Sequence, residues 1–480
     1  MSKYQEWKGR KAGFDNHVTL LAGQRTVAGA NKLSEEKPDD PTENLINLVV
    51  FLSAFTDNLF EFFLNGFAEF LGEEIEDPKR IKLIPSAEYP PEYVLQRILQ
   101  QASFDLTVIE RAVEQRKDPD SELAKILAKY DDLALSALAA SALPSNNSDK
   151  GLIELVKPFV YFQRDTSVRI IPYANALLIG IPFSALSQPI DLLSIPHEIG
   201  HHVYQTGHFS ETKPINLFFE KFFANRPDWV QNWLQEIFAD LYGFLAAGPI
   251  AAFSLQEILL DNLPVSLAED DGDHPVGIIR PLIYLNLFNS KDYQVRVPAA
   301  EAVAEVLRKK WQSEVTKRGF ANSFLPVTAD QALTVAEGSG ILGSVLQAMN
   351  EQIHEETDGA FDFPEGPDSA DHLHPWTFFP NGKSDDQFDP DHPFEGFSIE
   401  KTLQKQNDQI EKVKQLYGKK FKLSRREDNA FWLTGQIRYW GEKVDSENYP
   451  PLPPLLPNIW KLIFTAFNWA EQGPDDTRPA

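Results

Sequence analysis

Ser194-Ile-Pro-His197-Glu198-Ile-Gly-His201-His202 is the stretch on which the reading of this chain turns. Ser194 is a good helix N-cap, and Pro196 falls in the first turn, where its missing N–H costs nothing. A helix therefore starts here. At 3.6 residues per turn it places His197 and His201 on one face, one turn apart. Two imidazoles so spaced can share one metal ion. Glu198, beside the first of them, can reach a water on that ion without ligating it. The bland alternative is a run of polar residues on an exposed helix.

A third ligand separates the two readings, because a catalytic zinc takes three protein ligands and leaves one position for water. Downstream, Trp233-Leu-Gln-Glu236-Ile-Phe-Ala-Asp240-Leu-Tyr-Gly reads as another helix, with Glu236 and Asp240 one turn apart. Glu236 can be the third ligand. Asp240 can accept the free ring N–H of a ligand histidine and so fix its tautomer. The alternative is an amphipathic helix with two solvated acids. Against it, Ile237, Phe238, Leu241 and Phe244 make the surroundings apolar, and buried carboxylates need partners.

HExxH followed by ExxAD resembles the pattern of gluzincin metallopeptidases. The later Asp273-His274-Pro275-Val-Gly-Ile-Ile-Arg280 is similar to the HPxxxxR motif of the CAAX-prenyl-endopeptidase-like group, and is placed at the start of a helix. Tyr173-Ala-Asn175-Ala176-Leu-Leu-Ile looks like the Asn-Ala strand that precedes the metal helix there. The resemblance covers roughly residues 160–290. It implies one zinc per chain held by His197, His201 and Glu236, with Glu198 as base and Asp240 behind the ligands. It further implies that His274 faces the developing oxyanion with Arg280 supporting it. The group is mostly membrane-embedded, and His201 and Glu236 stand closer in this sequence than is usual there. A soluble relative is therefore expected, and prenyl-protein specificity is not carried over.

Composition bounds the partners. The 480 residues carry 45 Lys+Arg against 70 Asp+Glu, a net charge of -25, which opposes nucleic-acid backbones and anionic membranes. Cysteine is absent, so disulfides, thiol nucleophiles and iron–sulfur clusters are excluded, and a reducing, cytoplasmic location is expected. The basic N-terminal stretch has no apolar run behind it. The most apolar segment, Leu45 to Leu71, is interrupted by Asp57, Asn58, Glu61, Asn65 and Glu69, and reads as a buried helix rather than a membrane span.

The rest of the chain divides by pattern. Residues 1–43 read as a polar lead-in. Residues 44–150 read as a helical domain, with helices at Leu45–Leu71, Glu92–Arg116 and Ser121–Ala142 and a turn-rich linker at 144–149. The core of the protein is placed at 151–355. Strands are expected at 159–163, 167–171 and 176–181, the last offered as an edge for an extended substrate. Helices follow at 194–206, 214–225, 229–246, 254–261, 276–287, 299–317 and 330–355. Residues 356–398 form an acidic, Pro- and aromatic-rich stretch without period, expected to be a long loop that gates the cleft. The C-terminal helical region, 399–480, has helices at 399–418, 429–442 and 457–470. His202 and His208 lie off the ligand face. His372, His374 and His392 sit among acids with no fixed ligand spacing, and are read as part of a solvated loop. Gly338-Ser-Gly340-Ile-Leu-Gly343 is a formal GxGxxG, but a helix precedes it where a dinucleotide site needs a strand, so close helix packing is the simpler account.

The expected fold is α+β and predominantly α: a zincin-like core with a small sheet beside the HExxH helix and helical additions at both ends. The expected activity is zinc-dependent endopeptidase action on protein or peptide substrates. The rivals are a zinc hydrolase on a non-peptide amide, an exopeptidase, and a catalytically silent regulatory or binding module. An intact Glu198 speaks against the last, since a purely structural metal site has no use for a base.

Overall fold

The computed structural model describes residues 1–417 and 423, apart from 38, 77–81, 84, 86–89, 143–150, 155, 172, 211, 290–299, 320–321, 358–393 and 395–397. The expected 144–149 linker, most of the 356–398 loop with its three histidines, and the 429–442 and 457–470 helices lie outside the described residues. What is described is mostly helical, with a few small sheets.

Residues 1–43, read as a polar lead-in, instead form two helices: α1 (Lys3–Ala22) and α2 (Val27–Glu36). Ser2 and Thr26 cap them, each accepting a hydrogen bond from a backbone N–H three residues on. The composition conceals a narrow stripe, Tyr4, Trp7, Phe14, Val18 and Ala22, whose spacing of three, four or seven residues keeps it on one face. With α4 (Pro91–Glu114), these helices pack around α3 (Pro41–Gly66), which starts at a Pro behind the N-cap Asp40. Among the described residues α3 is the one helix long and apolar enough to cross a membrane, and 61% of that apolar window is buried inside the fold.

A three-stranded sheet divides the molecule into two cores. Its strands are β1 (Lys157–Gln163), β2 (Ser167–Ile170) and β3 (Ala176–Pro182), in the order β1-β3-β2, with β1 parallel and β2 antiparallel to β3. Both faces are buried, which explains the near-continuous apolar runs of β1 and β3. Side chains alternate between the cores: Phe159, Tyr161 and Leu178 enter the α1–α4 bundle, while Val160, Phe162, Leu177 and Ile179 enter the larger core. Because β3 is the middle strand, both of its edges are already paired. The substrate edge expected at 176–181 is therefore not available.

The larger core is built on the far side of the sheet. Its helix α5 (Glu122–Ala142), assigned from sequence to the N-terminal helical unit, buries its apolar face here, against β1 and the helix Ile195–Thr206. A 3₁₀ segment, Pro189–Ser194, runs directly into α6 (Ile195–Thr206). Ser194 is thus helical and not an N-cap, and its hydroxyl donates to the Asp191 carbonyl at 2.7 Å. After α7 (Ile215–Phe222), α6 packs along α8 (Asp228–Ala247). Gly200 permits the close approach, since a Cβ there would lie 2.7 Å from the Ala239 Cα and 2.9 Å from the Tyr242 Cβ. The Tyr242 hydroxyl donates to the Ala137 carbonyl at 2.7 Å and ties α8 to α5.

Gly248, at φ 70°, breaks the chain between α8 and α9 (Pro249–Leu260), so this helix starts five residues earlier than periodicity implies. The HPxxxxR stretch is largely non-helical, and α10 (Arg280–Phe288) begins only at its arginine. Then come α11 (Ala300–Arg318), α12 (Val335–Glu356) and α13 (Ile399–Tyr417), the last packed on α5. The start of α12 is set by a capping box of Thr334 and Glu337. Two of its three glycines are packing positions, as expected for the GxGxxG run: a Cβ on Gly338 would meet the Phe324 ring at 2.5 Å and one on Gly343 the Asn286 amide at 2.4 Å, whereas one on Gly340 would meet nothing within 4 Å.

Candidate metal centre

The two helices that cross at Gly200 bring the predicted ligands together. His197, His201 and Glu236 each offer a donor atom, and these lie within 4.8 Å of one another. The Nε2 atoms of His197 and His201 are 3.0 Å apart, and each faces one oxygen of Glu236, at 3.5 and 3.2 Å respectively. Donor atoms around a tetrahedral zinc with bonds of about 2.0–2.1 Å stand about 3.3 Å apart, so this separation and the N, N, O donor set suit such an ion. His201, Glu236 and Glu198 are buried and His197 is partly so, the setting in which two imidazoles and a carboxylate have a use for a shared cation.

Around this group stands a second ring of contacts. Asp240 Oδ1 lies 3.0 Å from His197 Nδ1, as expected for a carboxylate that fixes a ligand tautomer. Arg280 differs from its expected place. Its Nε donates to Asp240 Oδ2 at 2.8 Å, and one Nη to Asp240 Oδ1 and Glu236 Oε2, both at 2.9 Å. It thus braces the carboxylates and does not touch His274. The Tyr284 hydroxyl adds a bond of 3.4 Å to Asp240. His274 reaches the centre from the α9–α10 connection, its Nε2 3.5 Å from Glu236 Oε1, and is held from behind by Asp271 Oδ2 at 2.8 Å from Nδ1.

The electrostatics follow from burial and these pairings. Burial, with the Glu236 charge adding to it and His197 and Arg280 opposing it, pushes the Glu198 carboxyl up to about 7. Burial alone works against a charged His197, but hydrogen bonds to Asp240 and Glu236 outweigh it and raise its pKa to about 10. Burial drives His201 down to about 4. Glu236 would be raised by burial; His201 and Arg280 instead hold it well below the usual carboxylate range. At His274 the Asp271 hydrogen bond and the Glu236 charge overcome burial and favour the protonated ring.

Four neighbours were not picked out from sequence. Gln235 places its side-chain amide 3.0 Å from His201 Nδ1, and Gln205 is hydrogen-bonded to Gln235. Asp271 and Tyr284 are the others. Positions carried a trace of each: Gln235 directly precedes Glu236, Gln205 is one turn beyond His201, Asp271 three residues before His274, and Tyr284 one turn beyond Arg280. Of the histidines set aside, His202 is buried with Nε2 3.4 Å from the Thr206 hydroxyl, and His208 is exposed on β4 (His208–Ser210). Comparison of the chain with protein-family models, with curated protein sequences and with solved structures finds no match.

Proposed function

We propose that the chain is a zinc-dependent peptidase of gluzincin type, with a zincin-like core, that hydrolyses peptide bonds in protein or peptide substrates. One observation carries the reading: His197 and His201 from α6 converge with Glu236 from α8, while an unligated carboxyl, Glu198, is held near neutral pKa beside them. A structural metal site would have no use for that last group. When bound there, zinc supplies a Lewis acid that acidifies water and polarises a carbonyl.

The protein's own groups then have separate tasks. Asp240 holds the His197 Nδ1–H, which leaves Nε2 to face the metal position. Glu198 takes a proton from the attacking water at a carboxylate oxygen and passes it to the leaving nitrogen. A carboxyl with a pKa near 7 suits both halves of that transfer. His274, anchored by Asp271, directs Nε2–H toward the charge that develops on the substrate oxygen. Arg280 keeps Glu236 and Asp240 apart and ionised. An extended substrate would have to pair with the outer edge of β2, because Val160 and Phe162 on the outer edge of β1 are already hydrogen-bonded to Gln115, Arg116 and Asp131.

The test is metal content of the purified protein together with Glu198→Gln in a broad peptide-cleavage assay. About one zinc per chain in both forms is expected, with turnover in the variant lower by about 10²–10⁴-fold. A protein that binds no zinc, or a variant as active as the parent, would overturn the reading. Zinc without cleavage in either form would favour the binding-module alternative.

A further inference from the structure

Two short stretches of the chain read alike: Leu263-Pro264-Val265-Ser266 between α9 and α10, and Leu325-Pro326-Val327-Thr328 between α11 and α12. Hydrogen bonds tie them together at both ends. Arg318, the last residue of α11, donates through its two Nη atoms to the Leu260 and Asn262 carbonyls, each at 2.6 Å, just before the first stretch. The Val327 N–H donates to Asp270 Oδ2 at 2.8 Å, just after it. Leu267 and Phe324 anchor the two stretches from within, both buried in the larger core. Outward, Leu263, Val265, Leu325 and Val327 are between 54 and 70% exposed.

A pliant loop would turn such side chains inward. Here the prolines fix φ, the Ser266 hydroxyl donates to the Leu263 carbonyl at 2.8 Å, and the Ala329 N–H donates to the Pro326 carbonyl at 2.9 Å. Contiguous apolar surface held outward in this way marks an interaction site. The strip is continuous with the candidate metal centre. Asp270, which takes the Val327 N–H, adjoins Asp271, the anchor of His274. Phe324 lies against Trp233, one turn ahead of Glu236 on α8, with ring centroids 6.4 Å apart. Charge decides among occupants. Glu269, Asp271 and Asp273 are exposed between the strip and His274, and they repel anionic lipid headgroups and acidic peptides. A net charge of -25 likewise opposes a second copy of the chain. A polypeptide segment that mixes apolar and basic residues is the complement.

We propose that the two Leu-Pro-Val turns form a docking strip for an apolar, basic segment of the polypeptide substrate, beside the bond to be cut. The strip contributes binding and takes no part in the chemistry. Contacts of this kind are the same in the bound and the reacting substrate, so their loss raises KM and leaves kcat unchanged. That the bound polypeptide is also a substrate rests on the peptidase reading given above.

The test uses the full chain carrying Glu198→Gln, so that bound peptide is not consumed, and the fluorescence anisotropy of a labelled peptide of alternating Leu and Lys. A control peptide has Ser in place of each Leu and should bind far more weakly. Replacing Leu263, Val265, Leu325 and Val327 together by Ser should weaken binding of the Leu–Lys peptide by about 10–100-fold. With Glu198 intact, the same four changes should raise KM for that peptide and leave kcat as it was. Equal affinity for the two peptides, or unchanged affinity in the fourfold variant, overturns the proposal. Flotation with phosphatidylcholine vesicles and sedimentation of the protein alone run alongside. Vesicle binding or self-association that the four changes abolish assigns the strip to lipid or to a second copy, and also overturns it. If the fourfold variant fails to fold, Val265→Lys decides: it must weaken binding of the Leu–Lys peptide, while Leu20→Lys, at an exposed position on α1, must not. Strip-dependent peptide binding in a protein that takes up no zinc and cleaves nothing supports the strip and brings down the peptidase reading, so the two fail separately.

Discussion

At the scale of single residues, Glu236, Asp240 and Asp271 each face a cationic or N–H partner. Spacing made the candidate site legible: His197 and His201 one turn apart, Glu236 and Asp240 one turn apart. Partners drawn from a third stretch were not legible, because a loop has no period that aims its side chains. Arg280 is the instructive case. Its expected partner was His274, and its actual partners are Asp240 and Glu236. A guanidinium can satisfy two buried carboxylates in a planar, forked geometry, and two buried negative charges have more need of it than a half-exposed histidine. Asp271 has the corresponding role for His274. Asp271→Asn should leave zinc content unchanged and lower kcat by about 10–100-fold with little change in KM, since one oriented donor to developing charge is lost. Steady-state kinetics on a cleaved peptide would check this, and an unchanged kcat would remove His274 from the oxyanion role.

At the scale of elements, close helix approach explains features that a motif search reads as decoys. Gly200 lies between the metal-site histidines and faces α8, so its place in HExxH is a packing requirement as well as a sequence match. Gly200→Ala should destabilise the fold by about 1–3 kcal/mol, because the obstructing atoms include backbone that cannot rotate away. In α12 the three glycines of the GxGxxG run differ. Gly338 and Gly343 are hemmed in by Phe324 and Asn286, while a Cβ on Gly340 meets nothing within 4 Å. Gly340→Ala should therefore stabilise by about 0.5–1 kcal/mol from helix propensity alone, with Gly338→Ala destabilising. Urea denaturation of the three variants is the measurement, and equal effects at 338 and 340 would contradict the packing account. The helix boundaries show the same limit. Ser194 reads as an N-cap, yet a 3₁₀ turn continues into α6 through it, because Leu192 and Leu193 are buried in the larger core. At α12 the expected start at 330 is likewise displaced: the Thr334–Glu337 capping box sets it at Val335.

At the scale of the whole molecule, the sheet is the shared wall of two cores, and the candidate metal centre stands on only one side of it. The other core depends on α1 and α2 to cover α3. Removing residues 1–37 would strip Tyr4, Trp7, Phe14 and Val18 from that face and expose part of an apolar 26-residue helix. The truncated chain should unfold at a lower temperature and bind an apolar dye, while a melting temperature equal to that of the full chain would show that the cover is dispensable. Polar composition hid this cover, since six inward positions in a 20-residue helix hardly move an average. A predominantly helical chain with a small sheet, and HExxH paired with a later ExxAD on helices, could be read from residue order alone, because both depend on local period and spacing. Three-dimensional packing alone reveals that β3 is a central strand with both edges paired, that α5 shares a core with the candidate site, that Arg280 braces carboxylates, and that Gln235 and Gln205 stand behind His201. These are contacts between distant stretches, and they are set by which buried charges and apolar faces find one another in three dimensions.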